Sequence, residues 1–440
     1  MNLFKSVKRL LVMAAVILPS LSQAASLNID ISKGGLQPMP IAVPAMAEVN
    51  AAGQASAPSD LSLRIQQVVT NDLKRSGLFA PIDSKAFLQD PVSLWQNNPN
   101  FRDWRVINAD AVVRSSLNQS GGRLTVDMYL YDVPQGKQMG EGKRLTSPRV
   151  EEWRYLAHRV ADEIYSRLTG EQGYFTSRIA FIAQRGKTKW LSVMDQDGAS
   201  RTDLTKGQSI VLTPSFSPKG ENLFFLSYET GEPRIFSWEL YTGRKYQIAD
   251  FPGLNSSPSW SPDGRRMALT LTKDGNPEIY VRDITSGTMT RITNNSAIDT
   301  SPSWSPDGRR LVFNSNRGGS PQLYIVDAGG GEPKRITYEG RYNAAPSWSP
   351  RGDQIAYVRG EGGFHIALID PDGKRTRSLT RSWMDESPTW SPNGRVILFS
   401  RQNGSQTRLY TIDLTGHNEQ QVVMEGEQDA SDPSWSPLLR

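Results

Sequence analysis

Hydrophobic and polar residues alternate in short runs along most of the chain after residue 177. Residues 266–271 and 311–315 show the pattern, and turns rich in Gly, Pro, Asn and Asp separate one run from the next. A period of two residues is typical of β-strands that bury one face. This part of the chain is therefore predicted to be built almost entirely from short strands.

A repeated motif organises these strands into units. Six variants of the sequence Pro-Ser-Trp-Ser-Pro place an aromatic residue at positions 216, 260, 304, 348, 390 and 435. Spacings of about 40–45 residues with several strands per unit are typical of β-propeller blades. The first unit begins at Arg178 without a leading motif, whereas the last motif ends at Pro437, close to the C-terminus. We therefore predict a six-bladed propeller over residues 178–440, closed by the C-terminal strand. The Trp side chains are expected to pack between adjacent blades.

Residues 38–170 lack the repeat and predict a small α/β domain. A helix is expected over about residues 59–76, where Leu61, Ile65, Val68, Val69 and Leu73 form an apolar stripe at helical spacing. A second helix is expected over residues 150–168, and strands near 41–43, 111–115 and 124–130. Residues 171–177 are predicted to link the two domains. The fold class is thus mixed: a small N-terminal α/β domain followed by the propeller.

The N-terminus reads as an export signal. Lys5, Lys8 and Arg9 precede a nine-residue apolar run, which is too short to span a bilayer. Small residues at 22 and 24 favour cleavage after Ala24, so residues 1–24 are predicted to be a signal peptide and the mature protein to be periplasmic. Residues 25–37 then form an arm in which apolar and polar residues alternate before a double Gly. This arm is interpreted either as an edge strand of its own domain or as a segment that adds a strand to a partner.

The amino-acid composition limits the kinds of catalytic and binding site that the protein can have. The chain has no Cys and three His, which excludes disulfides and thiol catalysis and leaves little for a metal site. Removing residues 1–24 lowers the formal net charge from +5 to +2, because the signal holds three basic residues and no acidic one. A net charge this close to zero does not predict a basic surface that binds nucleic acid. The sequence also lacks a Gly-x-Ser-x-Gly elbow and a Walker-type loop, so no catalytic, metal or cofactor residue is predicted.

The candidate site is one end of the propeller channel, which we call the mouth. The segments just before each inner strand are expected to form a polar and locally acidic ring around it, with the acids solvated. The residues of this ring are Leu212, Asn255, Asp299, Thr300, Asn343, Asp385, Glu386, Ser431 and Asp432. A rigid ring of short loops favours protein docking. Two alternatives remain open: a propeller enzyme, such as a metal-dependent lyase or hydrolase acting at the mouth, and a structural scaffold that does not switch.

The order of these segments, the helix end at residues 166–170 and the sequence Asp-Glu-Ser-Pro at 385–388 make the chain similar to the TolB family of the bacterial Tol-Pal system. The resemblance covers essentially the whole mature chain. It implies a non-enzymatic periplasmic adaptor, without a cofactor or a transmembrane segment, expected to be a monomer. Its role would be outer-membrane invagination at cell division and outer-membrane integrity.

The resemblance also implies partners. The lipoprotein Pal is expected at the mouth, and group A colicins are further expected partners. The C-terminal domain of TolA is expected to bind the arm, in a manner coupled to Pal binding, through Ala25, Ser26, Leu27, Asn28, Ile29, Asp30, Ile31, Gly34 and Gly35.

Overall fold

The computed structural model describes residues 37–426 and 428–439. The predicted signal peptide and the predicted partner-binding residues of the arm, from Ala25 to Gly35, lie outside the described residues. Both therefore stay predictions.

The N-terminal domain is an eight-stranded mixed sheet covered by helices. Its strands are β1 (Met39–Ala42), β2 (Ala47–Val49), β3 (Ala55–Ser56), β4 (Phe79–Pro81), β5 (Ala111–Ser120), β6 (Arg123–Asp132), β7 (Lys137–Gln138) and β8 (Lys143–Ser147). Its helices are α1 (Asp60–Arg75), α2 (Pro91–Gln96), α3 (Phe101–Val106) and α4 (Trp153–Thr169), with single 3₁₀ turns at Ser84–Ala86 and Val150–Glu152.

Local signals set the ends of the two long helices. The Ser59 hydroxyl accepts a hydrogen bond from the Ser62 amide at the start of α1. Gly170 ends α4 in the left-handed conformation, with φ of 71°. The predicted helix at 150–168 is confirmed, although its first turn is a 3₁₀ turn. The short helices α2 and α3 and several short strands had not been predicted, because their apolar residues are too few to show a period.

The propeller consists of six four-stranded antiparallel sheets. In chain order its strands are β9 (Arg178–Arg185), β10 (Thr188–Asp195), β11 (Thr202–Asp203), β12 (Val211–Phe216), β13 (Asn222–Ser227), β14 (Arg234–Glu239), β15 (Lys245–Ala249), β16 (Asn255–Trp260), β17 (Arg266–Leu271), β18 (Glu278–Asp283), β19 (Met289–Arg291), β20 (Asp299–Trp304), β21 (Arg310–Ser315), β22 (Gln322–Asp327), β23 (Lys334–Arg335), β24 (Tyr342–Trp348), β25 (Ile355–Gly360), β26 (Phe364–Ile369), β27 (Thr376–Ser378), β28 (Asp385–Trp390), β29 (Val396–Asn403), β30 (Gln406–Asp413), β31 (Glu419–Gln421) and β32 (Asp429–Trp435).

The C-terminal strand closes the ring, as predicted. Blade 1 has the order β11-β10-β9-β32, in which Ala430 pairs with Ala183 and Trp435 with Ile179. Blades 2 to 6 each take four consecutive strands, from β12–β15 to β28–β31, with the motif strand innermost. The indole of Trp435 also donates a 2.7 Å hydrogen bond to Ser177 in the linker. The N- and C-terminal ends of the propeller are therefore joined by sheet pairing and by this hydrogen bond.

The motif aromatics pack between blades, which confirms the prediction. Trp304 of blade 4 lies in one apolar cluster with Ala268 and Ile279 of blade 3. The guanidinium of Arg266 stacks 4.7 Å from the Trp304 ring. Because each Trp fills the space between two sheets, its burial ties neighbouring blades together.

Each inner strand carries a β-bulge that the alternation pattern does not reveal. The bulge sits at the residue before the first Pro of the motif, where φ is positive at Thr213, Ser257, Ser301, Ala345, Ser387 and Asp432. A left-handed conformation at a non-Gly residue costs about 1–3 kcal/mol. Each of the six blades repeats the same strained position, so the surrounding ladder must hold it in place. These residues line the central channel.

Candidate functional site

Four of the predicted mouth residues are buried rather than solvated. Asn255, Asp299, Asn343 and Asp385 begin or nearly begin inner strands, and each is 0% exposed. The expectation that the acids among them are solvated was wrong for Asp299 and Asp385, because the inner strands start earlier than the motif suggests. Their side chains turn into the blade and bond the segments that precede the inner strands. We call these segments the mouth loops: residues 204–210, 250–254, 292–298, 336–341, 379–384, and 422–426 with 428.

Two of the buried residues hold a loop through its backbone. The Asn255 amide donates to the carbonyl oxygens of Phe251 at 2.7 Å and Gly253 at 3.1 Å. The Asn343 amide donates to the Glu339 carbonyl at 2.8 Å and to Gln322 Oε1 at 2.9 Å. A buried amide is stable only when hydrogen-bonded, so each loop has one preferred conformation.

The two buried acids hold their loops through charge. Asp299 Oδ2 accepts from Arg317 and from Asn295 Nδ2, both at 2.8 Å. Asp385 accepts from Arg401 at 2.6 and 3.1 Å and from the Ser382 hydroxyl at 2.6 Å. A charged carboxylate that is buried away from water is stable only when cationic or hydrogen-bonding groups surround it. We call Asn255, Asp299, Asn343 and Asp385 the loop-anchoring residues, since their buried side chains hold the mouth loops.

The remaining predicted residues differ in exposure. Leu212 packs against the apolar cluster between blades 2 and 3, and Thr300 accepts a hydrogen bond from Asn314 at 2.6 Å. Ser431 is half-buried, whereas Glu386 is exposed. Of the nine predicted residues, Glu386 is therefore the one with an exposed side chain.

Asp432 lies deeper, in the channel. It is the charged member of the ring of strained residues, which with the adjoining motif residues encloses about 280 Å³. Its Oδ1 accepts from the Ser387 hydroxyl at 3.2 Å. Burial raises the pKa of Asp432, and burial together with the charge of Asp432 raises the pKa of Glu386. Two carboxyl groups therefore lie close together between blades 6 and 1, one in the channel and one at the mouth.

The exposed aromatic residues at the mouth had not been predicted. Trp383 is 70% exposed in the mouth loop before blade 6, and Tyr338 is 70% exposed in the loop before blade 5. Tyr342 packs edge-on against Phe364 with ring centroids 5.3 Å apart. The Phe364 amide donates to the Trp383 carbonyl at 2.8 Å, so the exposed indole stands on a fixed backbone. The available signal was a Trp outside the motif, in a loop between two predicted strands.

The opposite, back face of the propeller contacts the N-terminal domain. Glu171 accepts hydrogen bonds from Arg395 and Arg351 in the turns of blades 6 and 5. Asn393 donates to the Gln172 carbonyl at 3.0 Å, and Asn418 to the Arg75 carbonyl at 2.9 Å. The apolar core of the domain continues into blades 1 and 6. These contacts leave the mouth as the open end of the channel.

A polar cluster is buried in the same interface. His158 Nδ1 lies 2.6 Å from Asp72 Oδ2, and Gln196 of blade 1 donates to Asp72 Oδ1 at 2.8 Å. Asp72, His158 and Asp197 also form a group of three metal-ligand side chains, found among residues 37–426 and 428–439. A metal-dependent enzyme acting at the mouth would need metal-ligating side chains at the mouth. This group lies instead at the interface between the two domains. Asp197 is already paired with Arg154.

Comparisons with known proteins agree with this architecture. A model of the TolB amino-terminal domain matches residues 27–139, and a model of the TolB beta propeller domain matches residues 165–439. The Tol-Pal system protein TolB of Paramagnetospirillum magneticum is 43% identical over 245 residues, which is 54% of this chain and 52% of that protein. The chain thus spans about half the length of this curated relative.

Solved structures extend the match. The crystal structure of TolB from Acinetobacter baumannii has a TM-score of 0.81 at 31% identity and covers 93% of this chain and 100% of that one. A chain of the nidogen/laminin complex has a TM-score of 0.50 at 10% identity over 60% of this chain, a likeness of fold alone. Fold and site define a β-propeller protein with a small α/β domain on its back face and an open mouth. The chain belongs to the TolB family. Within the described ranges, no helix is long and apolar enough to cross a membrane.

Proposed function

We propose that the chain is the non-enzymatic periplasmic adaptor of a Tol-Pal system. It binds Pal at the propeller mouth and the C-terminal domain of TolA through residues 25–35. In this role it supports outer-membrane invagination at division and outer-membrane integrity. Membership of the TolB family supports the proposal, as does a curated relative that is a Tol-Pal system protein.

The observation that carries the proposal is the asymmetry of the two propeller faces. The back face is held against the N-terminal domain by Glu171 and Asn418 contacts, whereas the mouth presents Trp383 on an anchored loop. Exposed aromatic residues on rigid backbone are the typical energetic centre of protein interfaces. A rigid surface also loses little conformational entropy when a partner binds.

The structure changes which residues are proposed to touch Pal. Trp383, Tyr338 and Glu386 are accessible at the mouth and form the proposed contact surface, with Asp432 at its centre. Asn255, Asp299, Asn343 and Asp385 are proposed to act indirectly, by positioning the mouth loops.

A deletion separates the two proposed partners. Removing residues 25–35 from the mature protein should abolish binding of the TolA C-terminal domain and retain binding of Pal, both measured by calorimetry. Loss of neither interaction would overturn the role of the arm. A protein with an intact fold that binds neither partner before the deletion would overturn the adaptor proposal itself.

A further inference from the structure

A series of side-chain contacts, joined at two steps by residues adjacent in the chain, crosses blade 6 from the mouth to the back face. It begins beside the exposed indole of Trp383, where the neighbouring Ser382 hydroxyl donates to Asp385 Oδ1 at 2.6 Å. Asp385 is fully buried. A displacement of the mouth loop at 379–384 therefore acts directly on a carboxylate inside the blade.

Arg401 carries the series across the sheet. Its guanidinium donates to Asp385 Oδ1 at 2.6 Å and to Glu419 Oε2 at 2.8 Å. It lies over the rings of Phe399 at 5.2 Å and Tyr410 at 4.6 Å. The planar guanidinium has few ways to satisfy two carboxylates at once. A shift of Asp385 is therefore expected to change the geometry of the hydrogen bonds between Arg401 and Glu419.

Asn418, next to Glu419 in the chain, reaches the other domain. Its Nδ2 donates to the carbonyl oxygen of Arg75, the last residue of α1, at 2.9 Å. The approach is close because Gly77 has no side chain, and a Cβ there would lie 2.5 Å from Asn418 Nδ2. Arg75 also donates to the Gln196 carbonyl of blade 1 at 3.1 Å.

The series ends at the first strand of the N-terminal domain. Leu78, which follows Gly77, accepts a 2.9 Å hydrogen bond from the Met39 amide. Met39 begins β1 and pairs with Phe79. In the sequence, β1 directly follows the segment proposed to bind TolA. The end of α1 is thus bonded both to blade 6 and to the start of β1.

We infer that Ser382, Asp385, Arg401, Glu419 and Asn418 transmit partner occupancy at the mouth to the end of α1 and the start of β1. The inference rests on the proposed function, since it assigns a physical route to the coupling between Pal and TolA. These five are positioning residues. Four of them lie inside the blade or on its back face, and Ser382 belongs to the mouth loop at 379–384. Coupling between distant sites requires an element whose arrangement both sites bias, and the Asp385–Arg401–Glu419 triad is that element.

Two asparagines on the back face provide a matched test. Asn418→Ala removes the contact to Arg75, whereas Asn393→Ala removes the equivalent contact to Gln172, which lies off the route. Calorimetry would measure the affinity of the TolA C-terminal domain for each full-length mature variant, alone and saturated with the periplasmic domain of Pal. The ratio of the two affinities is the coupling factor.

We expect Asn418→Ala to bring the coupling factor close to one, while both partners still bind. Asn393→Ala should keep the wild-type factor to within about twofold, a change small beside typical allosteric couplings. Equal factors in the two variants would overturn the route and leave the adaptor proposal standing. A wild-type factor of one would overturn the coupling itself, and the route with it.

Hydrogen exchange provides a second, local readout. Addition of Pal should change the protection of the Met39 amide in the wild type and in Asn393→Ala, but not in Asn418→Ala. Thermal unfolding would first establish that both variants are folded. An identical response of Met39 in all three proteins would contradict the inference.

Discussion

The carboxylate of Glu171 in the linker accepts a 2.6 Å hydrogen bond from Arg395 Nε and a second bond from the same guanidinium. Arg351 of the next turn lies 3.2 Å from the same carboxylate. Burial acts to raise the pKa of Glu171, but the hydrogen bonds and positive charges of Arg395 and Arg351 together outweigh it, and the pKa is lowered. These contacts tie the linker, and with it the N-terminal domain, to two turns of the propeller. We call the Glu171–Arg395–Arg351 group the latch.

The latch predicts a specific loss of stability. Arg395→Ala should lower the free energy of unfolding by about 1–3 kcal/mol, because the partly buried Glu171 loses its main donor. Arg375→Ala is the control, since Arg375 pairs with Asp370 on the exposed edge of blade 5 and should change stability little. Urea unfolding monitored by Trp fluorescence would measure both. Equal stabilities of the two variants would argue against the latch.

The exposed indole of Trp383 is predicted to be a binding hot spot. Trp383→Ala should weaken Pal binding at least about tenfold, as expected for a central aromatic anchor, with little change in melting temperature. Tyr241→Ala is a matched control, since Tyr241 is also highly exposed but lies on the back-face side of blade 2. Calorimetry with Pal would compare them. Unchanged affinity in Trp383→Ala would place the interface elsewhere.

Adjacent acids at the mouth are predicted to behave differently. Glu386→Lys should weaken Pal binding and leave the fold intact, because Glu386 is exposed. Asp385→Lys should destabilise the protein by about 3–5 kcal/mol, because it places a second cation beside buried Arg401. Thermal unfolding and calorimetry would distinguish the two roles. A stable Asp385→Lys protein would contradict the loop-anchoring role.

Ring closure predicts that the last strand is essential. Truncation after residue 428 removes β32 and Trp435, and loss of one buried Trp costs about 3–5 kcal/mol before the exposed sheet edge is counted. Truncation after Pro437 is the control, because it keeps the strand. The melting temperature should fall sharply for the shorter chain alone. Equal melting of the two truncated proteins would contradict closure by β32.

The sequence predicted the blades well because a repeated motif carries redundant information. Six aromatic positions at near-constant spacing predict blade number and closure, and each Trp is then found between blades. Departures from the motif were more informative than expected. Arg351 and Asn393 replace the usual turn Asp, and both contact the linker or the residues beside it. Non-consensus turns thus mark where the second domain docks.

The mouth was harder to predict because exposure depends on register. Asp385 and Glu386 are neighbours in the chain, yet one is buried against Arg401 and the other is at the surface. Side chains in a strand alternate between faces, so a one-residue error in the start of the strand exchanges buried and exposed positions. The bulge in each inner strand changes the alternation again. Neither feature can be derived from the alternation of apolar and polar residues alone.

The buried pair of His158 and Asp72 links stability to pH. Burial opposes protonation of His158, but the charge and hydrogen bond of Asp72 in α1, together with the charges of Asp197 and Asp195 of blade 1, outweigh it. The pKa of His158 is raised to about 8. Arg154, on the same helix as His158, pairs with both blade-1 acids. Burial also raises the pKa of Asp162 to about 6. In each case the folded protein holds its proton more tightly than the unfolded chain.

Stability is therefore predicted to fall as the solution becomes alkaline. A raised folded-state pKa contributes stability that is complete below the unfolded value, about 6.5 for His, and is lost as the pH rises through about 8. The difference of roughly 1.5 units corresponds to about 2 kcal/mol. The wild type should lose this much between pH 6 and pH 9 in urea unfolding, whereas His158→Gln should lose much less. His417→Gln is the control, because His417 is exposed and should keep the wild-type profile. A His158→Gln protein with the full alkaline loss would show that other groups titrate, and the buried pair would not be the source.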